Sequence, residues 1–279
     1  MHVSWFLVLL IEFDWLKGYY SSPVWNLVEC LALFSIVLMH EFGHSLACKQ
    51  TGGKADRIML WPFGGVAFVQ PPQRPGAVLW SIAAGPLVNV ALVPVTIWIY
   101  RTGYAMGWYV ETPNLAKFLS HLVSINIGLL VFNMMPVYPL DGGQILRALL
   151  WFVIGRASSL RVATVIGVLG VAGFGVLAFY QQSVWLGLMA FMGLQQCING
   201  FKQAGAISRI EKMPRHAGFK CPNCGEAPLQ GDYWVCECGA RFDMFATGAV
   251  CPQCHKQHER ATCPFCTQSG EFHRWVSTP

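Results

Sequence analysis

The sequence predicts a polytopic α-helical membrane protein with about six transmembrane helices, a β-hairpin at the membrane edge and a small cysteine-rich domain at its C-terminal end. Of its 279 residues, 54% are hydrophobic and only 12% are charged, whereas soluble domains carry about 25% charged residues. The long apolar runs lie within residues 1–200, and most cysteines lie beyond residue 202. We therefore expect a transmembrane domain over 1–200, a linker over 201–217 and a cytosolic domain over 218–279.

The first 200 residues contain apolar segments long enough to be read as membrane spans, which require about 20 residues. Six apolar segments can be drawn, and the first and the last are shorter than this length: 2–15, 24–48, 77–100, 118–135, 162–180 and 184–198. Aromatic residues cluster at their ends, which is typical of the membrane–water interface. A shorter apolar stretch, 145–154, predicts a helix at the membrane edge.

The distribution of lysine and arginine predicts the orientation, because cytoplasmic loops are enriched in these residues. With six spans, most of the cations fall on the side that also holds both termini. We expect that side to be the cytoplasm of a cell with the protein in its plasma or inner membrane. The first apolar run lacks a basic leader and a cleavage site, so we expect it to be retained.

Between the second and third segments, the stretch 58–69 is apolar but interrupted by Pro62, Gly64 and Gly65. It predicts two short strands around a turn. Unpaired strand edges are not tolerated in lipid, so the hairpin should be buried in protein or line a wet cavity. An extended peptide can add to such an edge, which makes Gly64 and Gly65 candidate substrate-binding residues.

The last turns of the second segment carry His40, Glu41 and His44. On a helix this spacing places both histidines on one face, where they can bind one tetrahedral Zn²⁺. Glu41 then lies beside the metal, where it can take a proton from water and deliver it to a leaving amine. A chance match is the alternative, but ionisable groups within a span are costly unless they are functional.

A catalytic zinc requires a third protein ligand and an open position, and Asp141 is the candidate at the matching depth. It follows the fourth segment, which runs in the same direction as the second. Pro136 and Pro139 break that helix, and the glycines at 142–143 permit a tight turn. Alternatively, Asp141 is the N-cap of a helix over 142–154, and both roles are compatible.

With these motifs, the membrane part resembles the site-2 protease family of intramembrane zinc metalloproteases. That family pairs HExxH in one span with Asn-x-x-Pro-x-x-x-Leu-Asp-Gly in a later one, and the chain has both, at 40–44 and 133–142. The glycine hairpin at 62–67 and the sequence AGPLVN at 84–89 are also similar. The resemblance implies that His40, His44 and Asp141 bind one catalytic Zn²⁺ and that Glu41 is the general base.

The resemblance also implies that Asn133 approaches the active site and steadies the oxyanion or the substrate backbone. From its residue type alone, an amide at membrane depth must find a partner, and a helix-to-helix hydrogen bond is the alternative role. We interpret Asn89, which follows several small residues, as such a packing contact.

The C-terminal domain contains four close pairs of cysteines: Cys221 and Cys224, Cys236 and Cys238, Cys251 and Cys254, and Cys263 and Cys266. In a reducing compartment this spacing predicts zinc rather than disulfides. The simplest arrangement is two structural Cys₄ sites, one from the first two pairs and one from the last two, with His255 and His258 as substitute ligands in the second. The domain resembles tandem zinc ribbons. Its acidic and basic residues are mixed, so we expect a protein partner rather than nucleic acid.

The leading hypothesis is therefore an endopeptidase that cleaves transmembrane or membrane-edge segments of other membrane proteins, as in regulated intramembrane proteolysis. The alternative is a membrane zinc transporter or zinc sensor that uses the same ligands. Transport requires no fixed general base, and the sequence offers no second acidic or histidine-rich span. A catalytically silent scaffold is a third hypothesis, although none of the motif residues is missing.

Overall fold

The computed structural model describes residues 18–61, 64–266 and 268–276. The chain divides into two compact units, of which the first ends at Ala204 and the second begins at Gly205. Each unit has its own hydrophobic clusters. The predicted apolar segment 2–15 lies outside the described residues.

The first long helix, α1 (Pro23–Gln50), carries the predicted zinc ligands. Ser22 is its N-cap and accepts a hydrogen bond from the Val24 N–H, and proline occupies the first turn, where its missing N–H is no loss. His40 and His44 are each 5% exposed, whereas Leu31 and Leu46 are 57% and 59% exposed. The polar residues thus face the protein and the leucines face outward, as expected of a helix surrounded by lipid.

After α1 the chain forms an antiparallel hairpin of β1 (Lys54–Trp61) and β2 (Gly64–Gln70). Lys54 pairs with Gln70 and Trp61 with Gly64, and the register shifts once, between Ala55 and Arg57. The hairpin packs against α1. The predicted pair of strands is therefore confirmed, although the first strand begins earlier than expected. In the described part of the chain this sheet has two strands.

Six further α-helices follow in the described residues, and the last of them crosses from the first unit into the second. They are α2 (Pro75–Ala105), the single turn α3 (Trp108–Glu111), α4 (Pro113–Met134), α5 (Asp141–Ile154), α6 (Arg156–Tyr180) and α7 (Val184–Glu211). The central helix α2 packs against α1, α4 and α5. Its buried residues Ser81, Gly85 and Asn89 recur every four positions, so they share one face.

Among the described residues, four helices are long and apolar enough to cross a membrane: α1, α2, α4 and α6. The protein is accordingly an integral membrane protein, but the predicted number of about six spans is not confirmed. The predicted sixth segment, 184–198, lies in α7, which continues to Glu211 through a polar half and is not among the four. The first part of the expected linker 201–217 is thus helical.

A buried carboxylate on α1, Glu29, joins this helix to α4. Glu29 is 4% exposed and accepts hydrogen bonds from the Tyr20 hydroxyl and from Nδ1 of His121, the latter at 2.9 Å. Tyr19 stacks on the His121 ring, with the ring centroids 4.4 Å apart. The sequence alone assigned no role to Glu29, and this contact explains how its buried carboxylate is satisfied.

The second unit is built on two short hairpins and one aromatic core. Strands β3 (Trp234–Val235) and β4 (Arg241–Phe242) pair, as do β5 (Arg260–Thr262) and β6 (Ser269–Glu271), and a 3₁₀ helix (Phe272–Trp275) follows. The start and end of the unit lie side by side: Phe219 bridges to Val276, and the Lys220 N–H donates to the Trp275 carbonyl at 2.7 Å. Trp275 is fully buried in the core.

Asp243 ties three segments of this unit together. Its carboxylate accepts hydrogen bonds from the N–H groups of Gly231, Phe245 and Ala246 and from His216 Nε2. Burial raises the pKa of Asp243, but these hydrogen bonds outweigh that effect, so the pKa lies below its ordinary value. Asp243 is therefore ionised at neutral pH and fixes the chain around β4.

Candidate metal centres and active site

The structure brings three predicted ligands together at one point in the first unit. His40 and His44 occupy successive turns of α1, and Asp141 is the first residue of α5. The two imidazole Nε2 atoms lie 3.1 Å apart, and Oδ2 of Asp141 is 3.0 Å from His40 Nε2 and 3.4 Å from His44 Nε2. The side chains are largely buried.

Hydrogen bonds at the far side of each ring determine which nitrogen faces this point. Nδ1 of His40 lies 2.6 Å from the side-chain oxygen of Asn89, and Nδ1 of His44 lies 2.9 Å from the backbone carbonyl of Ser81. Because both oxygens can only accept, each Nδ1 must carry the proton and donate it. In the neutral rings both Nε2 atoms then present lone pairs to each other and to the Asp141 carboxylate.

Three electron-pair donors that face one another are the arrangement a cation requires. Tetrahedral Zn²⁺ bound at about 2.0–2.1 Å would hold its ligand atoms about 3.3 Å apart, close to the 3.0–3.4 Å separations of His40, His44 and Asp141. The set of two imidazoles and one carboxylate also leaves a fourth position for water or substrate. The donor set therefore fits a catalytic zinc ion.

Asn89 is the residue whose role the sequence interpretation missed. It is fully buried on α2, and besides its contact with His40 its amide donates to Oδ1 of Asn126 on α4 at 2.8 Å. Asn126, also fully buried, donates in return to the Asn89 backbone carbonyl at 3.4 Å. The expected helix-to-helix contact exists, but the same side chain also orients His40, a predicted zinc ligand. The four-residue spacing from Ser81 through Gly85 to Asn89 was the available signal.

Gly85 of α2 lies directly against the imidazole rings of the two histidines. A Cβ atom at this position would overlap Nε2 of His44 and lie 2.8 Å from Nε2 of His40. Only glycine lets α2 approach closely enough for Asn89 and Ser81 to reach the imidazoles. The small residue Gly85, four positions before Asn89, thus provides the space that the two imidazoles occupy.

The loop 135–140 returns the chain from α4 to Asp141. A Cβ atom at Gly142 would overlap the carbonyl of Met134 at the end of α4, so the predicted tight turn depends on this glycine. The alternative role of Asp141 as a helix N-cap is wrong: α5 begins at Asp141 itself, Leu140 is the N-cap, and no side chain caps the helix. The carboxylate points instead to the histidines.

The other predicted site residues lie on neighbouring elements. Glu41 follows His40 directly and is 5% exposed. Asn133 is partly buried in the last turn of α4, ahead of the loop that leads to Asp141. Gly64 and Gly65 begin β2 and pair with Trp61 and Leu60 of β1. The roles of these residues in catalysis and substrate binding stay predictions.

Two more donor clusters lie in the second unit. In one, Sγ of Cys221 is 3.7 Å from Sγ of Cys266, and Sγ of Cys224 is 3.7 Å from Sγ of Cys263. In the other, the separations are 3.6 Å between Cys236 and Cys254 and 3.7 Å between Cys238 and Cys251. Zinc–sulfur bonds of about 2.3 Å give tetrahedral edges of about 3.8 Å, so both clusters fit zinc. We call them the outer and the inner site.

The predicted pairing of the cysteines in chain order is wrong. The first pair joins the last, and the two middle pairs join each other, so the inner site is nested within the outer one. The reason is the contact between Lys220 and Trp275, which brings the two ends of the unit together. His255 and His258 belong to neither cluster. Spacing alone cannot determine such connectivity.

The short pair Cys236-x-Cys238 is accommodated by a shorter turn. In three of the four pairs, the N–H of the first cysteine donates to a carbonyl five residues later, at Glu226, Lys256 and Gln268. Cys236 donates to Ala240, which is one residue closer. Backbone N–H groups of Cys254 and Gln253 lower the pKa of the Cys251 thiol to about 7, which favours the thiolate that binds zinc.

Two imidazoles, a carboxylate and an adjacent glutamate, buried among helices that can cross a membrane, are the combination found in membrane-embedded zinc metallopeptidases. The sequence profile described as Peptidase family M50 matches residues 28–177. This range is more than half of the chain, and the chain therefore belongs to peptidase family M50, the site-2 protease family.

Individual relatives agree with the family. A zinc metalloprotease of Methanocaldococcus jannaschii is 31% identical over 199 residues, which are 70% of this chain and 56% of the relative. Stage IV sporulation protein FB of Bacillus subtilis is 30% identical over 152 residues, 52% of this chain and 46% of that protein. The chain spans about half the length of these curated relatives. A solved structure, the site-2 protease of M. jannaschii, is 26% identical with a TM-score of 0.54, covering 72% of this chain and 88% of that one.

Proposed function

We propose that the protein is an intramembrane zinc metalloendopeptidase that cleaves transmembrane or membrane-edge segments of other membrane proteins. The observation that carries the proposal is the convergence of His40, His44 and Asp141 beside the buried Glu41. Ionisable groups are expensive at membrane depth and are retained there for function. The matches to proteins named zinc metalloproteases support the same reaction.

In the proposed mechanism, His40, His44 and Asp141 would hold a zinc ion, which when bound would supply Lewis-acid polarisation of the scissile carbonyl and acidification of water. Glu41 accepts the proton of the attacking water and passes it to the nitrogen of the leaving amine. Asn89 and the Ser81 carbonyl hold the imidazoles in place during these steps. We assign to Asn133 the role of steadying the developing oxyanion or the substrate backbone.

The substrate segment would bind in an extended conformation, because the carbonyls of a helix are occupied by its own hydrogen bonds. The hairpin of β1 and β2 follows the site-bearing helix directly and packs on it. We assign substrate binding to this hairpin at Gly64 and Gly65, through pairing of backbone groups with the extended peptide.

For the chain as a whole we propose that both termini face the cytoplasm, as the distribution of lysine and arginine favours, in the plasma or inner membrane. Within the second unit, the domain 218–279, which follows a linker over 201–217, would bind two structural zinc ions. The paired donor distances in both cysteine clusters support this number. A protein partner of this unit, rather than nucleic acid, fits its mixed charge.

The proposal is tested by changing Glu41→Gln in purified full-length protein. Cleavage of a membrane-protein substrate should fall by about 10²–10⁴-fold, the usual contribution of a general base, while zinc content stays the same. Trapping membrane proteins that accumulate on this variant would identify the substrate. His40→Ala should lower the zinc content by one ion per chain.

Zinc transport, the alternative function, would need the ligands but no general base. Uptake of zinc into vesicles that is unaffected by Glu41→Gln, together with unchanged proteolysis, would reject the protease proposal in favour of transport.

A further inference from the structure

The two cysteine clusters differ in how they are enclosed by the second unit. In the outer site, Cys221 and Cys263 are buried and Cys224 and Cys266 are half-buried. In the inner site, Cys236 and Cys251 are buried, but Cys238 and Cys254 are exposed. Two thiolates of the inner site therefore face solvent, whereas every thiolate of the outer site is at least partly covered.

The neighbours of the outer site reinforce this difference. The guanidinium of Arg215 lies 4.8 Å from the centroid of the Phe265 ring, and its Nη1 is 2.6 Å from Oε2 of Glu226. The Lys220 N–H donates to the carbonyl of the fully buried Trp275 and closes the two chain ends over the site. Beside the inner site, the Lys256–Glu237 pair is 48% and 80% exposed, against 26% and 53% for Arg215–Glu226, and exposed pairs of either kind contribute little to stability.

The nested connectivity makes the two sites unequal in their effect on the fold. The outer site joins the first and last cysteine pairs of the unit and so holds its two ends together. Loss of metal from the inner site would release only the chain between Cys236 and Cys254. Loss of metal from the outer site would separate the ends of the whole unit.

We propose that the inner cluster is an oxidant-sensitive zinc site whose metal is released reversibly while the outer site stays intact. Peroxide reacts with thiolates that solvent can reach, and among the eight clustered cysteines Cys238 and Cys254 are the exposed ones. This inference rests on zinc being bound in the second unit, and it is independent of proteolysis by the first.

The chemistry requires hydrogen peroxide as the oxidant. An exposed thiolate attacks peroxide, the O–O bond breaks, and a sulfenic acid and hydroxide form. A second thiolate of the same cluster displaces hydroxide from that sulfur to form a disulfide. In total, one peroxide oxidises two thiolates to one disulfide, two hydroxide ions form, and zinc leaves because only two thiolate ligands remain.

The test uses full-length, zinc-loaded protein carrying His40→Ala, so that the metal of the first unit does not contribute. Peroxide is added in steps, released zinc is measured with a colorimetric chelator, and free thiols are trapped and mapped by mass spectrometry. We expect one zinc ion to leave before the second. The first disulfide should form among Cys236, Cys238, Cys251 and Cys254, while all four outer cysteines are still trapped as unoxidised thiols. Thiol reductant with added zinc should restore the lost ion.

A matched variant, Cys236→Ser with Cys251→Ser, should lack the early release and keep the late one. The proposal is overturned if both zinc ions leave wild-type protein in a single phase, or if the first disulfide contains an outer cysteine. The mapping of wild-type protein decides the question even if the variant does not fold. Peptidase activity plays no part in these readouts, so a failed protease proposal would leave them unchanged.

Discussion

At the scale of single residues, the geometry of the proposed zinc site depends on hydrogen bonds behind His40 and His44. The acceptors Asn89 and Ser81 fix the protonated nitrogen of each imidazole, so the opposite nitrogen is available to the metal. Asn89 is itself held by Asn126. A side chain with two fixed contacts positions the ring more firmly than one with a single contact.

Replacing Asn89 should therefore weaken zinc binding without removing a ligand. Asn89→Ala leaves Nδ1 of His40 without its acceptor, and loss of such partners typically lowers metal affinity by about 10–100-fold. The measurement is zinc affinity of the first unit by competition with a chelator, using protein whose cysteines of the second unit are already saturated. Asn89→Asp keeps the acceptor and should recover most of the affinity.

Thr96 provides a control on the same face of α2. It is buried and donates only to carbonyls of its own helix, at Leu92 and Val93. Thr96→Ala should leave zinc affinity unchanged. If Asn89→Ala and Thr96→Ala behave alike, Asn89 does not position His40.

The sequence predicted His40, His44 and Asp141 as ligands, and the structure brings the three together, but it did not predict the residues that orient the imidazoles. His40, His44 and Asp141 belong to short motifs whose chemistry is legible from residue type and spacing. The partner of His40 lies 49 positions away on another helix, and its identity depends on how α1 and α2 pack. A lone asparagine in a span is equally consistent with a packing contact, so residue type could not decide.

At the scale of elements, the site is produced by the close approach of α1 and α2. Gly85 has no side chain where the two imidazoles lie against α2. Adding a methyl group there would displace His40 and His44, because the backbones of α1 and α2 cannot easily move apart in a packed interior.

Gly85→Ala should thus abolish zinc binding and cleavage in the first unit while the helices remain formed. Zinc content and helicity by circular dichroism would be compared with Gly128→Ala on α4, where an added Cβ atom meets no neighbour within 4 Å. Gly128→Ala should keep its zinc and gain up to about 1 kcal/mol from helix propensity. Normal zinc content in Gly85→Ala would show that α2 can move away from the histidines.

The hairpin and the helices were predicted well because each has a local pattern: apolar length for a span, and proline with glycine for a turn. The predicted number of about six spans is not confirmed: the segment 2–15 lies outside the described residues, and the segment 184–198 continues into a polar helix.

At the scale of the whole molecule, the chain joins a bundle with outward-facing leucines to a cysteine-rich unit with an aromatic core. The family model matches residues 28–177, within the first unit. The second unit lies beyond that range and combines an aromatic core with two cysteine clusters that could hold metal.

The nested pairing of its cysteines leads to opposite zinc counts in two double variants. Cys236→Ser with Cys251→Ser removes two ligands of one site, so the second unit should keep one zinc ion. Cys221→Ser with Cys236→Ser damages both sites, so the unit should lose both ions. Metal content by mass spectrometry under native conditions gives the count.

Pairing in chain order would give the reverse result, with no zinc in the first variant and one ion in the second. The sequence could not distinguish these patterns, because four cysteine pairs can combine in several ways at similar spacing. The contact of Lys220 with Trp275 selects one of them, and it is a long-range contact that no local pattern encodes.

The same nesting has a consequence for folding during synthesis on the ribosome. As the chain emerges, Cys221 and Cys224 appear first but must wait for Cys263 and Cys266, which come after the other clustered cysteines along the chain. The inner four are all present earlier and close a shorter loop, which costs less entropy. The inner cluster should therefore capture zinc first and form the small folded nucleus against which the outer cluster later closes.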